Sequence, residues 1–156
     1  MELRQTWNGE SVATIYLGGG TPSQLTTAQL SQLFGSLYNI YKVSDDAEVT
    51  IEVNPDDVTD ALATALAALP VNRVSMGAQT FSDRRLRFLN RRHTSAQVAD
   101  AVGRLRRAGI DNVSVDLMYG FPGETLAEWQ DDITAALTLG ANHLSAYCLT
   151  IEEGTA

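Results

Sequence analysis

The sequence predicts an α/β fold: a partial TIM-type (β/α) barrel of parallel strands with about five βα units. Three observations carry that expectation. Short apolar segments alternate with segments of helical period along the whole chain, and strands joined through helices pair in parallel with right-handed crossovers. The clearest strands are apolar on one side only: Val49, Ile51 and Val53 alternate with Thr50 and Glu52, Val74 and Met76 with Ser75 and Gly77, and Val113, Val115 and Leu117 with Ser114 and Asp116. A central strand of a doubly wound sheet reads apolar on both faces, whereas a barrel turns its second face into a lumen that accepts polar groups. Finally, the chemistry-bearing residues gather at the carboxyl ends of the strands, where a barrel builds its site.

Residues 1–9 read as the end of a helix and a turn, and Val12 to Leu17 as the first strand, running into Gly18-Gly19-Gly20-Thr21-Pro22-Ser23. After Pro22, Thr26 and Gln29 form a capping box, and Leu30, Leu33, Phe34, Leu37, Tyr38 and Tyr41 recur at helical spacing as a core face. Ser44-Asp-Asp is expected to turn, Glu48 to Val53 is the second strand, and Asn54-Pro55 stops it. A helix from about Thr59 carries Leu62, Leu66 and Leu69 to Pro70, and Arg73 to Gly77 is the third strand. Ser82 is placed to cap a short arginine-rich helix. Thr94 and Gln97 box the next, which uses Val98, Val102 and Leu105 before Gly109. Val113 to Met118 is the fourth strand. Thr125 and Glu128 open a helix with Leu126, Trp129, Ile133, Ala136 and Leu137 on its apolar side, and His143 to Leu149 is the fifth strand.

The 156 residues fit one domain, and 44% hydrophobic with 19% charged residues is ordinary globular composition. A formal net charge of -8 argues against a nucleic-acid surface, although five of the eleven basic residues crowd between Asp83 and Arg92, where a solvated helix face is the plain reading. No apolar run approaches a membrane span and the first residues lack a signal-peptide core, so a cytoplasmic protein is the default expectation. The single cysteine, Cys148, excludes an internal disulfide, supplies no metal site and reads as a buried small apolar side chain.

Glycines at 18 to 20 let a ligand lie against the backbone, but the loop closes with Thr21-Pro22-Ser23, which fits neither a P-loop nor a dinucleotide fingerprint. Glu52, Gln79, Asp116 and the stretch Tyr147 to Thr150 end their strands on the same rim. Each has an alternative. Glu52 and Asp116 also suit lumen carboxylates satisfied by hydrogen bonds, Gln79 a strand-end cap, and Arg91 an ordinary surface arginine. His93 reads as a turn residue, and His143 opens its strand at the end away from the rim.

Six strings then carry a resemblance: Ile15-Tyr-Leu-Gly-Gly-Gly-Thr-Pro-Ser, Ile51-Glu-Val-Asn-Pro, Arg73-Val-Ser-Met-Gly-Ala-Gln-Thr-Phe, Leu89-Asn-Arg-Arg-His, Asp116-Leu-Met-Tyr-Gly-Phe-Pro-Gly-Glu-Thr and Leu149-Thr-Ile-Glu-Glu-Gly-Thr. In this order and spacing the chain resembles the radical S-adenosylmethionine enzymes grouped with oxygen-independent coproporphyrinogen III oxidase, and its last string looks more like their haem-chaperone branch. The resemblance implies S-adenosylmethionine held over a [4Fe-4S] cluster at the rim and cleaved to a 5′-deoxyadenosyl radical. It places Gly19, Gly20 and Thr21 against the methionyl end of that cofactor and Glu52 on the same molecule. Gln79, Arg91 and Asp116 match positions that contact a second S-adenosylmethionine in the oxidase, and Thr150 aligns near that site. Porphyrin or haem is the implied partner.

The family's Cys-x3-Cys-x2-Cys cluster motif is absent here, so the chain is expected to be an internal piece of a longer protein, without the first barrel strand or the C-terminal region, and catalytically silent by itself. An exposed edge at Val12 to Leu17 would then favour self-association. Another radical enzyme of methylthiotransferase type, or a cofactor-free (β/α) binding module, stand as alternatives.

Overall fold

A computed structural model describes residues 9–150, and the helix end read over the first residues, like most of the closing Leu149 string, lies outside them. Five strands, β1 (Val12–Leu17), β2 (Val43–Val53), β3 (Arg73–Gln79), β4 (Val113–Tyr119) and β5 (His143–Cys148), form one parallel sheet in the order β1-β2-β3-β4-β5. Helices α1 (Thr27–Ile40), α2 (Asp60–Ala67), α3 (Asp83–Phe88), α4 (Ser95–Arg107) and α5 (Leu126–Thr138) lie in the connections. Tight turns at Pro22–Gln24 and Pro55–Asp57 precede α1 and α2. The sheet is the half-barrel expected from the one-sided strands.

The core lies between the sheet and its helices. Val49, Ile51, Val53, Val74, Met76, Val113, Val115 and Leu117 are buried with Leu30, Phe34, Leu66, Val98, Val102 and Leu105. Each such side chain removed from water contributes about 1.5–3 kcal/mol. The capping boxes form at Thr26/Gln29, Thr94/Gln97 and Thr125/Glu128, each threonine hydroxyl accepting from the backbone N–H three residues on.

Several expectations need correction. Strand β2 begins at Val43 rather than after a turn at Ser44, but its pairing jumps from Val12↔Val43 to Thr14↔Glu48. The turn chemistry therefore appears as a register shift, with the Ser44 hydroxyl bonded to Asp46. Leu33 and Tyr38 are exposed because the buried face of α1 is narrower than its apolar stripe. Leu126 and Leu137 point to solvent, while Asp132 on the same helix is buried. Ser82 makes no side-chain cap; its N–H instead donates to Thr80 Oγ1 at 3.1 Å. Cys148 is exposed, since β5 is an edge among the described strands and gains no cover beyond β4.

Candidate functional site

The carboxyl ends of the strands surround an open cavity of about 370 Å³, whose lining includes Gly20, Thr21, Glu52, Gln79, Arg91 and Asp116. Gly19 reaches the same place through its backbone, donating to Glu52 Oε2 at 3.0 Å. Thr150 is exposed just past β5 and is not among the lining residues. The convergence follows from parallel pairing. Glu52 stands opposite Ser75, Ser75 opposite Ser114, and Asp116 opposite Ser145, so side chains of one strand face recur at similar height on the next.

Glu52 is held by two bonds, one from Gly19 and one from the Tyr16 hydroxyl at 2.9 Å to Oε1. Across the lumen the Ser75 hydroxyl donates to Asp116, at 3.2 and 3.0 Å from its two oxygens. Burial pushes the Asp116 carboxyl above the usual aspartate range and Glu52 adds to it, while hydrogen bonds from Ser75 and Ser145 and the charge of Arg73 oppose without cancelling. A raised carboxyl means that the folded chain keeps its proton after the unfolded chain has lost it. Stability therefore falls as pH rises from the ordinary aspartate range through the raised value. Asp116→Asn is expected to stabilise the chain at neutral pH and leave it unchanged in acid. Urea denaturation at the two pH values checks this, and an equal gain in acid would refute the cause given.

Gln79 ends β3 in the left-handed region, with φ 68°, where a non-glycine residue is costly. The register of β3 on β4 shifts between Met76 and Gln79, and the turn after it is tied down on every side. Thr80 Oγ1 and Phe81 N–H donate to the two Asp132 oxygens at 2.7 and 2.8 Å, and His93 Nε2 lies 3.1 Å from the Ala78 carbonyl. Burial pulls the His93 imidazole below its usual range, so a neutral ring donating to that carbonyl suits the site better than a base. Gly77 makes room for the result, because a Cβ there would stand 2.8 Å from Gln79 Nε2.

Neighbouring arginines divide the work. Arg92 pairs with Asp56 at 2.9 Å and Asp57 at 3.4 Å, tying its loop to the turn after β2. Burial raises the Asp57 carboxyl, but hydrogen bonds from Ser23, Gln24 and Asn54, with Arg92 nearby, more than reverse this and leave it below the usual range. Arg91 makes no ion pair among the described residues and borders the cavity, where a guanidinium suits an anionic group.

Sequence reasoning missed the support behind this rim. Arg85, expected on a solvated face, is 5% exposed and bonds to Glu124 and, at 3.1 Å, to Asp132. Glu124 Oε2 in turn accepts the Gly120 and Phe121 N–H groups at 2.6 and 3.3 Å. A signal was present: Asp132 lies three residues after Trp129 and four before Ala136, inside the apolar stripe of α5.

A family model described as the radical SAM superfamily matches residues 1–136. The chain belongs to that superfamily. It is 39% identical over 155 residues to the heme chaperone HemW of Lactococcus lactis, covering 99% of this chain and 41% of that protein. To the heme chaperone HemW of Bacillus subtilis it is 41% identical over 143 residues, covering 91% and 38%. The chain thus spans about 40% of the length of these curated relatives. Among solved structures, coproporphyrinogen III oxidase (HemN) from Escherichia coli, described as a radical SAM enzyme, superposes with a TM-score of 0.86 at 29% identity over 96% of this chain and 34% of that one. The archaeal Elp3 of Methanocaldococcus infernus, at TM-score 0.78 and 17% identity, shares the fold.

S-adenosylmethionine and a [4Fe-4S] cluster are the cofactors of the radical SAM superfamily. The residues present fit the first: the end of the glycine loop at Gly20 and Thr21, the Glu52 carboxylate, and Arg91, which makes no ion pair among the described residues, border one cavity. They do not fit the second. The chain has one cysteine, and among the described residues no three metal-binding side chains converge.

Proposed function

We propose that this chain forms the S-adenosylmethionine-binding wall of a radical SAM protein of porphyrin or haem metabolism, in the group that holds the haem chaperones and coproporphyrinogen III oxidase. The observation that carries the proposal is the Glu52 carboxylate fixed beside Gly19 over the rim cavity. An anchored carboxylate with free lone pairs suits the α-ammonium of the methionyl group, and the neighbouring glycine loop suits close backbone approach by the same end of the cofactor. Gly19, Gly20, Thr21 and Glu52 would hold that molecule, and Gln79, Arg91 and Asp116 a second one, with Thr150 near it. The similarity to heme chaperones supports haem or porphyrin as the partner of the whole protein. An exposed free thiol at Cys148 suits a reducing cytoplasm. When bound, the cofactor pair supplies one-electron chemistry; this chain's own part is to bind and orient.

Calorimetric titration of the chain with S-adenosylmethionine tests the reading. Glu52→Gln keeps the shape and removes the charge, and the loss of a charge-assisted hydrogen bond is expected to weaken binding about tenfold or more. Equal affinity for the two proteins, or no binding to the wild-type chain at millimolar ligand, would sink it.

A further inference from the structure

We propose that Tyr16 is a positioning residue that fixes the Glu52 carboxylate for the ammonium group of the ligand, a role that rests on the reading of this cavity as an S-adenosylmethionine site. A glutamate side chain at a rim open to water has several rotamers to choose from, and a ligand that needs one of them must work against the rest. Here the choice is made in advance. The Tyr16 hydroxyl donates to Oε1 at 2.9 Å and the Gly19 N–H to Oε2 at 3.0 Å, so a side chain of β1 and the backbone of the loop that follows it grip the two oxygens separately and set the carboxylate plane.

Three further observations assign the tyrosine to the site rather than to the core. Tyr16 is 57% exposed, so burial of its ring accounts for little of its presence. Gly18, two residues on, lies against both partners: a Cβ there would meet the Tyr16 ring and stand 2.7 Å from Glu52 Oε1 and 2.8 Å from Cδ. The missing side chain is thus the space in which the pair forms. The partner of Tyr16, Glu52, stands opposite Ser75 in the pairing of β2 with β3, and Ser75 donates to Asp116, so the tyrosine hydroxyl joins the polar groups of the lumen. Burial, and then Glu52, push the phenol above its ordinary range, which keeps it a proton donor throughout the neutral region.

The test is a mutant cycle read by calorimetry on the 156-residue chain, with Tyr16→Phe, Glu52→Gln and the double variant, titrated with S-adenosylmethionine and with 5′-methylthioadenosine, which lacks the amino and carboxylate groups. Loss of the hydroxyl is expected to weaken S-adenosylmethionine about five- to tenfold and leave methylthioadenosine unchanged. The double variant should bind S-adenosylmethionine no more weakly than Glu52→Gln, because the tyrosine acts only through the carboxylate. Effects of Tyr16→Phe and Glu52→Gln that multiply, or an equal loss for methylthioadenosine, would overturn the positioning role in favour of a general effect on the cavity. Full affinity in Tyr16→Phe with a weakened Glu52→Gln would overturn it while the reading of the site stands. An unaffected Glu52→Gln would remove that reading and this inference together.

Discussion

Arg85→Met is expected to destabilise the chain by about 3–5 kcal/mol, a large part of the 5–15 kcal/mol that holds an ordinary domain folded. The Arg85 guanidinium lies over the Phe121 ring, 5.6 Å from its centroid, and pairs with Glu124 and Asp132, with all three charged side chains 7% exposed or less. Methionine replaces the stem but leaves two carboxylates buried without their cation. Removing one partner costs far more than the intact cluster contributes, since an uncompensated buried charge loses its solvation and gains nothing in return. The damage would also reach the rim, because Asp132 holds the turn after Gln79 and Glu124 holds the Gly120 and Phe121 amides. Arg84→Met is the control, on a neighbouring side chain that is 70% exposed. Urea denaturation should show a lower midpoint at unchanged slope for Arg85→Met and no comparable change for the control. A difference between the two variants under 1 kcal/mol would show that the buried acids find other compensation.

Anaerobic reconstitution of the chain with iron and sulfide is expected to load no stoichiometric [4Fe-4S] cluster, and dithionite with S-adenosylmethionine to release no 5′-deoxyadenosine above a protein-free control. Such a cluster requires three or four thiolates on one concave surface, and the lone Cys148 sits exposed at the outer edge of β5. Iron analysis and chromatography of the nucleoside decide it. Stoichiometric iron with product would mean that ligands other than thiolates hold the metal. The expected result leaves binding of the cofactor intact, so the titrations with Glu52 variants remain informative on the same protein.

Residues whose position is written in strand alternation were legible from sequence. Glu52 and Asp116 interrupt apolar strands at period two, which sends them to the face opposite the helices, and parallel pairing with an in-register neighbour brings them to one cavity. Gln79 was placed on the rim but its left-handed backbone was not foreseeable, because the strain is held by Asp132 from a helix about fifty residues away in sequence. Arg85 and Asp132 were hidden for a related reason. Charges on short or amphipathic helices ordinarily face water, and only the pairing of one with the other makes burial tolerable. Leu126 and Leu137 show the converse, apolar residues at the ends of α5 that stay exposed. The resemblance supplied what alternation could not, the family and its cofactors, and the family match agrees with it.

The strand order has a consequence for how the molecule is assembled. Each strand from β2 to β5 pairs with the one made just before it, so none of these strands waits for a segment synthesised much later. Each newly emerged βα unit meets a finished template and closes a loop of one crossover, the shortest that parallel pairing permits. The chain is suited to folding vectorially on the ribosome, strand by strand, with the newest strand always covering the edge left by the one before it. The rim matures in the same order: the glycine loop waits for Glu52, Glu52 is then joined by Gln79, and Asp116 closes the polar lumen, so the cavity exists only once four units have been laid down.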